Sequence, residues 1–227
     1  MEKKESPNKV KESKLKPEAK GSAKPSWISN KAFDIIKLVL GICLLPFVYS
    51  FTVAFLNKIT FIDSSLQNHF WYGVVTFLVL YLFVWEMALV YEWGHKLLEF
   101  VFSFFQPLVK VAPFLLPIYT IVIFIIYLVL APFIKEVWLV NYTMFLLGFS
   151  IILHLVFSSK AVRSKKGDIL KSNYLFGFSF IYIINLGVLA MFLNIIFKDF
   201  SFVSFCNDAY SIAGGIFQAI FSQFFVV

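Results

Sequence analysis

Apolar blocks long enough to cross a bilayer recur along the whole chain, and they limit its folds more than any motif does. One helical crossing takes about 20 predominantly apolar residues. Five stretches meet that length: 35–56, 70–91, 111–133, 138–157 and 174–197. Backbone amides find no water in hydrocarbon, so segments of this kind cross as helices. The expected fold class is therefore all-α, a polytopic membrane protein with about five transmembrane helices. Pro46 lies inside the first stretch, where a membrane helix tolerates a kink. Composition agrees, because 60% of the 227 residues are apolar and only 15% are charged, which excludes a water-soluble globule.

The charge is concentrated in two places. Residues 1–34 hold nine lysines against five acids, with Pro and Ser between them and almost no large apolar group before Trp27. Such a segment buries too little surface to offset its ordering entropy and is expected to be a disordered, Lys-rich cytoplasmic tail. The first apolar run begins only at Ile35 and is full length, which predicts an uncleaved span rather than a signal peptide. The second basic region follows the fourth span, where Lys160, Arg163, Lys165, Lys166 and Lys171 face the single acid Asp168. The other loops are neutral, with Lys58 against Asp63 and Lys135 against Glu136. Lys and Arg bias in short loops sets orientation, so both basic regions lie inside, with five spans and a cytoplasmic N-terminus. The setting that fits is a bacterial inner membrane. The partner of this charge is the anionic cytoplasmic leaflet; without a folded soluble domain, nucleic acid is not expected.

Residues 198–227 are less apolar. Asp208 is followed by Gly214 and Gly215, then by Ile216, Phe217, Ile220, Phe221 and Phe224 at helical spacing. This reads as an interfacial amphipathic helix, a re-entrant segment or a sixth span. Cys43 and Cys206 are far apart and form no C-x-x-C pair, so a thiolate zinc site and a redox dithiol are excluded.

Ionisable residues in apolar spans are costly and mark candidate sites. Here they are Glu86, Glu92, His95, Lys96 and Glu99 at the end of the second span, and His154 in the fourth. Glu92, His95, Lys96 and Glu99 fall on one helix face. Two readings fit them. Glu92 to Lys96 and His95 to Glu99 are i, i+4 pairs, so the helix can leave the membrane and neutralise its own charges at the interface. Alternatively, Tyr91-Glu92-Trp93-Gly94-His95 is the zinc motif H-E-x-x-H with tyrosine at the first histidine. In that motif two histidines at i and i+4 grip one Zn²⁺ while the Glu deprotonates its water. His69, beside Phe70 and Trp71, is assigned to the interface.

On these residues the chain resembles the site-2-protease-type membrane zinc metallopeptidases, as a degenerate member. The helix bearing the motif matches 86–100, and the proline-rich helix start matches Ala112-Pro113-Phe114-Leu115-Leu116-Pro117-Ile118-Tyr119. A later helix with an internal histidine matches Gly148 to His154, followed by the basic loop with Asp168 and a span opening Asn173-Tyr174-Leu175-Phe176-Gly177. The resemblance implies Glu92 as catalytic base and His95, His154 and Asp168 as candidate zinc ligands. Tyr91 departs from it, since a phenol stays protonated at neutral pH and binds Zn²⁺ poorly. The family's Asp-Gly pair is also missing; Gly167-Asp168 is in the reverse order.

Phosphate loops, dinucleotide fingerprints and nucleophile elbows are all missing from the sequence. Three function classes remain. The first is a pseudoenzyme, without bound cofactor, that binds a membrane partner. The second is an active intramembrane zinc metallopeptidase with an atypical ligand set. The third is a small transporter or channel subunit, or a structural subunit of a membrane complex, although the halves show no repeat of the kind transporters carry.

Overall fold

The computed structural model describes residues 27–83, 87–134, 137–164 and 174–224. Residues 1–26 of the Lys-rich tail, Glu86, Lys135, Glu136 and residues 165–173 of the basic loop, with Asp168, lie outside these residues, whereas 27–34, expected to be disordered, are the first turns of α1. The described chain is all-helical: α1 (Trp27–Ile59), α2 (Ser64–Phe83), α3 (Met87–Val101), α4 (Gln106–Leu115), α5 (Ile118–Leu130), α6 (Val137–Ser164), α7 (Tyr174–Ile196) and α8 (Phe202–Phe224). Three of them are long and apolar enough to cross a membrane: α1 from Ile35, α6 and α7. With these spans the chain is an integral membrane protein.

Two expected spans are cut differently from the sequence reading. The stretch 70–91 is divided between α2 and α3, which are inclined at 114° to one another. The stretch 111–133 is broken at Leu116–Pro117, where the chain turns extended before the 13-residue α5 begins. Proline has no N–H to continue the ladder, and the residue before it is pushed out of the helical region. The C-terminal segment is one amphipathic helix, α8, which is long but falls short of the apolarity of the three spans.

Polar bonds and close backbone contact hold the bundle together, as expected where lipid removes the hydrophobic drive between helices. The tightest junction is between α2 and α6. A Cβ built on Gly73 would stand 1.9 Å from the Phe145 carbonyl oxygen, and one on Gly148 would stand 2.1 Å from that of Phe70. Only glycine admits that approach. Phe77 then packs edge-on against both Phe149 and Phe157, so the two helices run in the same direction.

The first helix joins α7 in the same direction. Gly41 lies against the Phe176 backbone and the Thr52 hydroxyl meets the Tyr182 hydroxyl at 2.8 Å. Within α1, Ser50 Oγ donates to the Pro46 carbonyl at 2.6 Å, a satisfied hydroxyl beside the proline. In contrast, α5 runs against α6, with the buried Thr120 and Ser150 hydroxyls 2.9 Å apart. Phe124 of α5 stacks on Phe192 of α7 at 4.0 Å.

Helix α8 returns along α1. Lys58 Nζ lies 2.8 Å from Asp208 Oδ2, Phe51 meets Phe205 edge-on and Phe47 meets Phe217. Asp63, which balances Lys58 in the charge of this loop, starts α2, its Oδ1 accepting the Ser65 amide at 2.8 Å. Asn194 plays a similar part for α8, accepting the Phe202 amide at 2.8 Å.

Candidate functional site

The break between α4 and α5 determines what lies around it. With Leu116 and Pro117 out of the helix, the Phe114 and Leu115 carbonyls lose their i+4 amides within α4, Phe114 being buried and Leu115 half-buried. Unpaired buried carbonyls are costly, so side chains from other helices bond them. His154 of α6 donates from Nε2 to the Phe114 oxygen at 3.1 Å. Asn185 of α7 donates from Nδ2 to the Leu115 oxygen at 3.0 Å and to the Ile181 oxygen at 2.7 Å. Among the described residues, the one buried side-chain oxygen without a partner is Asn185 Oδ1.

A carbonyl only accepts, so His154 carries its proton on Nε2. The same nitrogen lies 3.2 Å from Ser158 Oγ, which in turn lies 3.1 Å from the Tyr91 hydroxyl. A continuous polar chain thus runs from α3 through α6 to the break. The Tyr91 ring stacks on Phe157 at 5.4 Å and has the two imidazoles near it, with centroids 6.1 Å away for His95 and 6.0 Å for His154. His95 packs edge-on against Phe114 at 4.9 Å, and its Nδ1 lies 3.3 Å from Glu99 Oε1.

Helix α3 is held over the break by a close contact. A Cβ on Gly94 would stand 2.7 Å from Ile118 and 2.8 Å from the Tyr119 ring, and the Tyr119 hydroxyl donates to the Val90 carbonyl. Beside this contact lies a cleft of about 520 Å³, lined by Tyr91, Glu92, His95, Lys96 and Glu99 of α3 and by Lys160 of α6, among others. The Lys160 ammonium sits 4.6 Å from the Tyr81 ring centre and 5.6 Å from that of Phe157, in cation–π geometry.

The sequence candidates therefore divide. Glu92 and His95 line one cleft, and His154 lies buried behind Tyr91. Glu86 and Asp168 are outside the described residues. Among the described residues, no three His, Cys, Asp or Glu side chains converge as a metal site. His69 stands apart, its Nδ1 2.7 Å from the Ser65 carbonyl oxygen at the start of α2.

Sequence reasoning missed the parts played by Ser158 and Lys160. The signal was present, since Ser150, His154 and Ser158 recur every fourth residue as a polar stripe on an otherwise apolar helix. Lys160 read only as topology charge, because its aromatic partners come partly from another helix. The chain matches no protein-family model, and neither a curated protein nor a solved structure shows significant similarity to it.

Proposed function

We propose that the chain is a multi-pass membrane protein on a site-2-protease-like scaffold that binds a membrane partner in the α3–α6 cleft and does not hydrolyse peptide bonds. The observation that carries this reading is the chain Tyr91–Ser158–His154–Phe114 carbonyl. In the family the equivalents of Tyr91 and His95 would grip zinc together. Here the Tyr91 hydroxyl is bonded to Ser158, His154 Nε2 carries a proton toward a backbone carbonyl, and His95 Nδ1 faces Glu99. These groups hold helices together, and the cleft beside them stays open.

The topology that goes with this reading has five crossings, made by α1, α2, the broken α4–α5 pair, α6 and α7, with the N-terminus in the cytoplasm of a bacterial cell. Helix directions support it, since α1 parallels α7, α2 parallels α6, and α5 opposes α6. The cleft then lies at the cytoplasmic face, beside the end of α6.

The test is zinc stoichiometry by elemental analysis of detergent-purified protein prepared without chelator. The expected result is no zinc in wild type. About one zinc per chain, lost on His95→Ala and kept on Glu92→Gln, would overturn the reading. It would favour the second one, an active metallopeptidase with Glu92 as base. What favours that second reading is the position of both imidazoles beside the Tyr91 ring.

A further inference from the structure

The α3–α4 hairpin shows two kinds of surface, one charged and one aromatic. Glu92, Lys96 and Glu99 of α3 line the cleft. On other sides of the hairpin Trp93, Phe100 and Phe104 are 74%, 78% and 81% exposed. A helix with one charged and one aromatic face, inclined at 114° to a neighbour in the bundle, has the form of a helix lying in the plane of the membrane interface. Its aromatic face meets acyl chains, and its charged face stands at headgroup level. Membrane lipid is the molecule present at that depth at high concentration.

The charges in the cleft define what it can hold. Glu92 on α3 and Lys160 on α6 both line it, and among the described residues neither has an ion-pair partner. Lys160 is steadied by two aromatic rings rather than by a carboxylate. A lysine ammonium is a point charge suited to a phosphate, and a carboxylate accepts hydrogen bonds from a primary ammonium.

From this juxtaposition of an unpaired cation and an unpaired carboxylate across one interfacial cleft, we infer that the site binds the headgroup of an aminophospholipid. The phosphate lies toward Lys160 and the ammonium toward Glu92. A trimethylammonium headgroup has no N–H to give Glu92. A headgroup without an amine places no cation there. The assignment rests on the reading that the cleft binds rather than hydrolyses.

The experiment is native mass spectrometry of the full chain released from vesicles of equal phosphatidylethanolamine, phosphatidylcholine and phosphatidylglycerol. Phosphatidylethanolamine is expected to be retained about tenfold over each of the others, the scale of one good charge-assisted contact. Glu92→Gln and Lys160→Ala should each reduce that preference to near unity, while Lys160→Arg keeps it. Equal retention of the three lipids by wild type, or a preference unchanged in both variants, overturns the assignment. If Lys160→Ala does not stay monodisperse, the Glu92→Gln and Lys160→Arg pair decides alone. Excess soluble glycerophosphoethanolamine should leave the bound lipid in place; displacement would overturn a lipid as the occupant in favour of the free headgroup. Zinc measured in the same preparation reads the other claim separately. About one zinc per chain overturns the non-hydrolytic reading whatever the lipids do, and zinc-free protein without lipid preference overturns only the headgroup assignment.

Discussion

His154 and Asn185 do the same work, each bonding a carbonyl that the α4–α5 break leaves without an amide. His154→Leu keeps the bulk and removes the donor, so the Phe114 carbonyl loses its bond from α6 at a cost of roughly 1–2 kcal/mol. His154→Gln still offers an N–H and should recover about half of that loss. The difference is read as the shift in the unfolding midpoint in a sodium dodecyl sulfate titration. A purely catalytic histidine would leave that midpoint in place. Tyr91 carries the complementary prediction. Tyr91→His puts two imidazoles at i and i+4 beside Glu92, which should raise bound zinc from none toward about one per chain by elemental analysis. Unchanged zinc content would count against the resemblance itself.

Helix pairs depend on backbone approach, and the α2–α6 junction is the clearest case. A methyl group at Gly148 would overlap the Phe70 carbonyl oxygen, and one at Gly73 would overlap that of Phe145. A backbone atom cannot rotate aside, so each Gly→Ala change must push the helices apart and should cost about 1–3 kcal/mol. Gly214→Ala and Gly215→Ala, which would meet nothing within 4 Å, are the controls and should be neutral or slightly stabilising in the same titration. These junctions bear on what the sequence disclosed. The unbroken apolar runs of α1, α6 and α7 were legible as spans, because hydropathy and length suffice for a straight helix. The bends within 70–91 and 111–133 were not legible, because apolarity continues across a bend and says nothing about direction. Pro117 was visible, but the acceptors it frees are bonded by side chains 40 and 70 residues away. Glu92 and His95 were legible through their spacing on one face. Lys160 became part of the site only when α6 was placed beside α3.

The whole chain's path is set by a few contacts at its ends. Lys58, near the end of α1, reaches Asp208 at the start of α8, so the ends of α1 and α7 lie at the same level. With α1 and α7 parallel, an odd number of crossings separates the N-terminal tail from the loop after α7, and the proposed arrangement has five. The consequence is an accessibility pattern. In a chain with Cys43 and Cys206 replaced by Ser, Thr60→Cys should react with a membrane-impermeant maleimide on intact cells. Ser13→Cys should react only after permeabilisation. Labelling of both from the same side would exclude the arrangement. The pair itself is testable, because the Lys58 side chain is 14% exposed and that of Asp208 is 42%, which places the bond between a surface and a buried one. A double-mutant cycle with Lys58→Ala and Asp208→Ala should give a coupling of about 1 kcal/mol. The exchange Lys58→Asp with Asp208→Lys should recover part of it. A coupling near zero would mean that α8 is held to α1 by the Phe51–Phe205 and Phe47–Phe217 contacts alone, and the charges would then serve only to keep that end of the helix in the headgroup region.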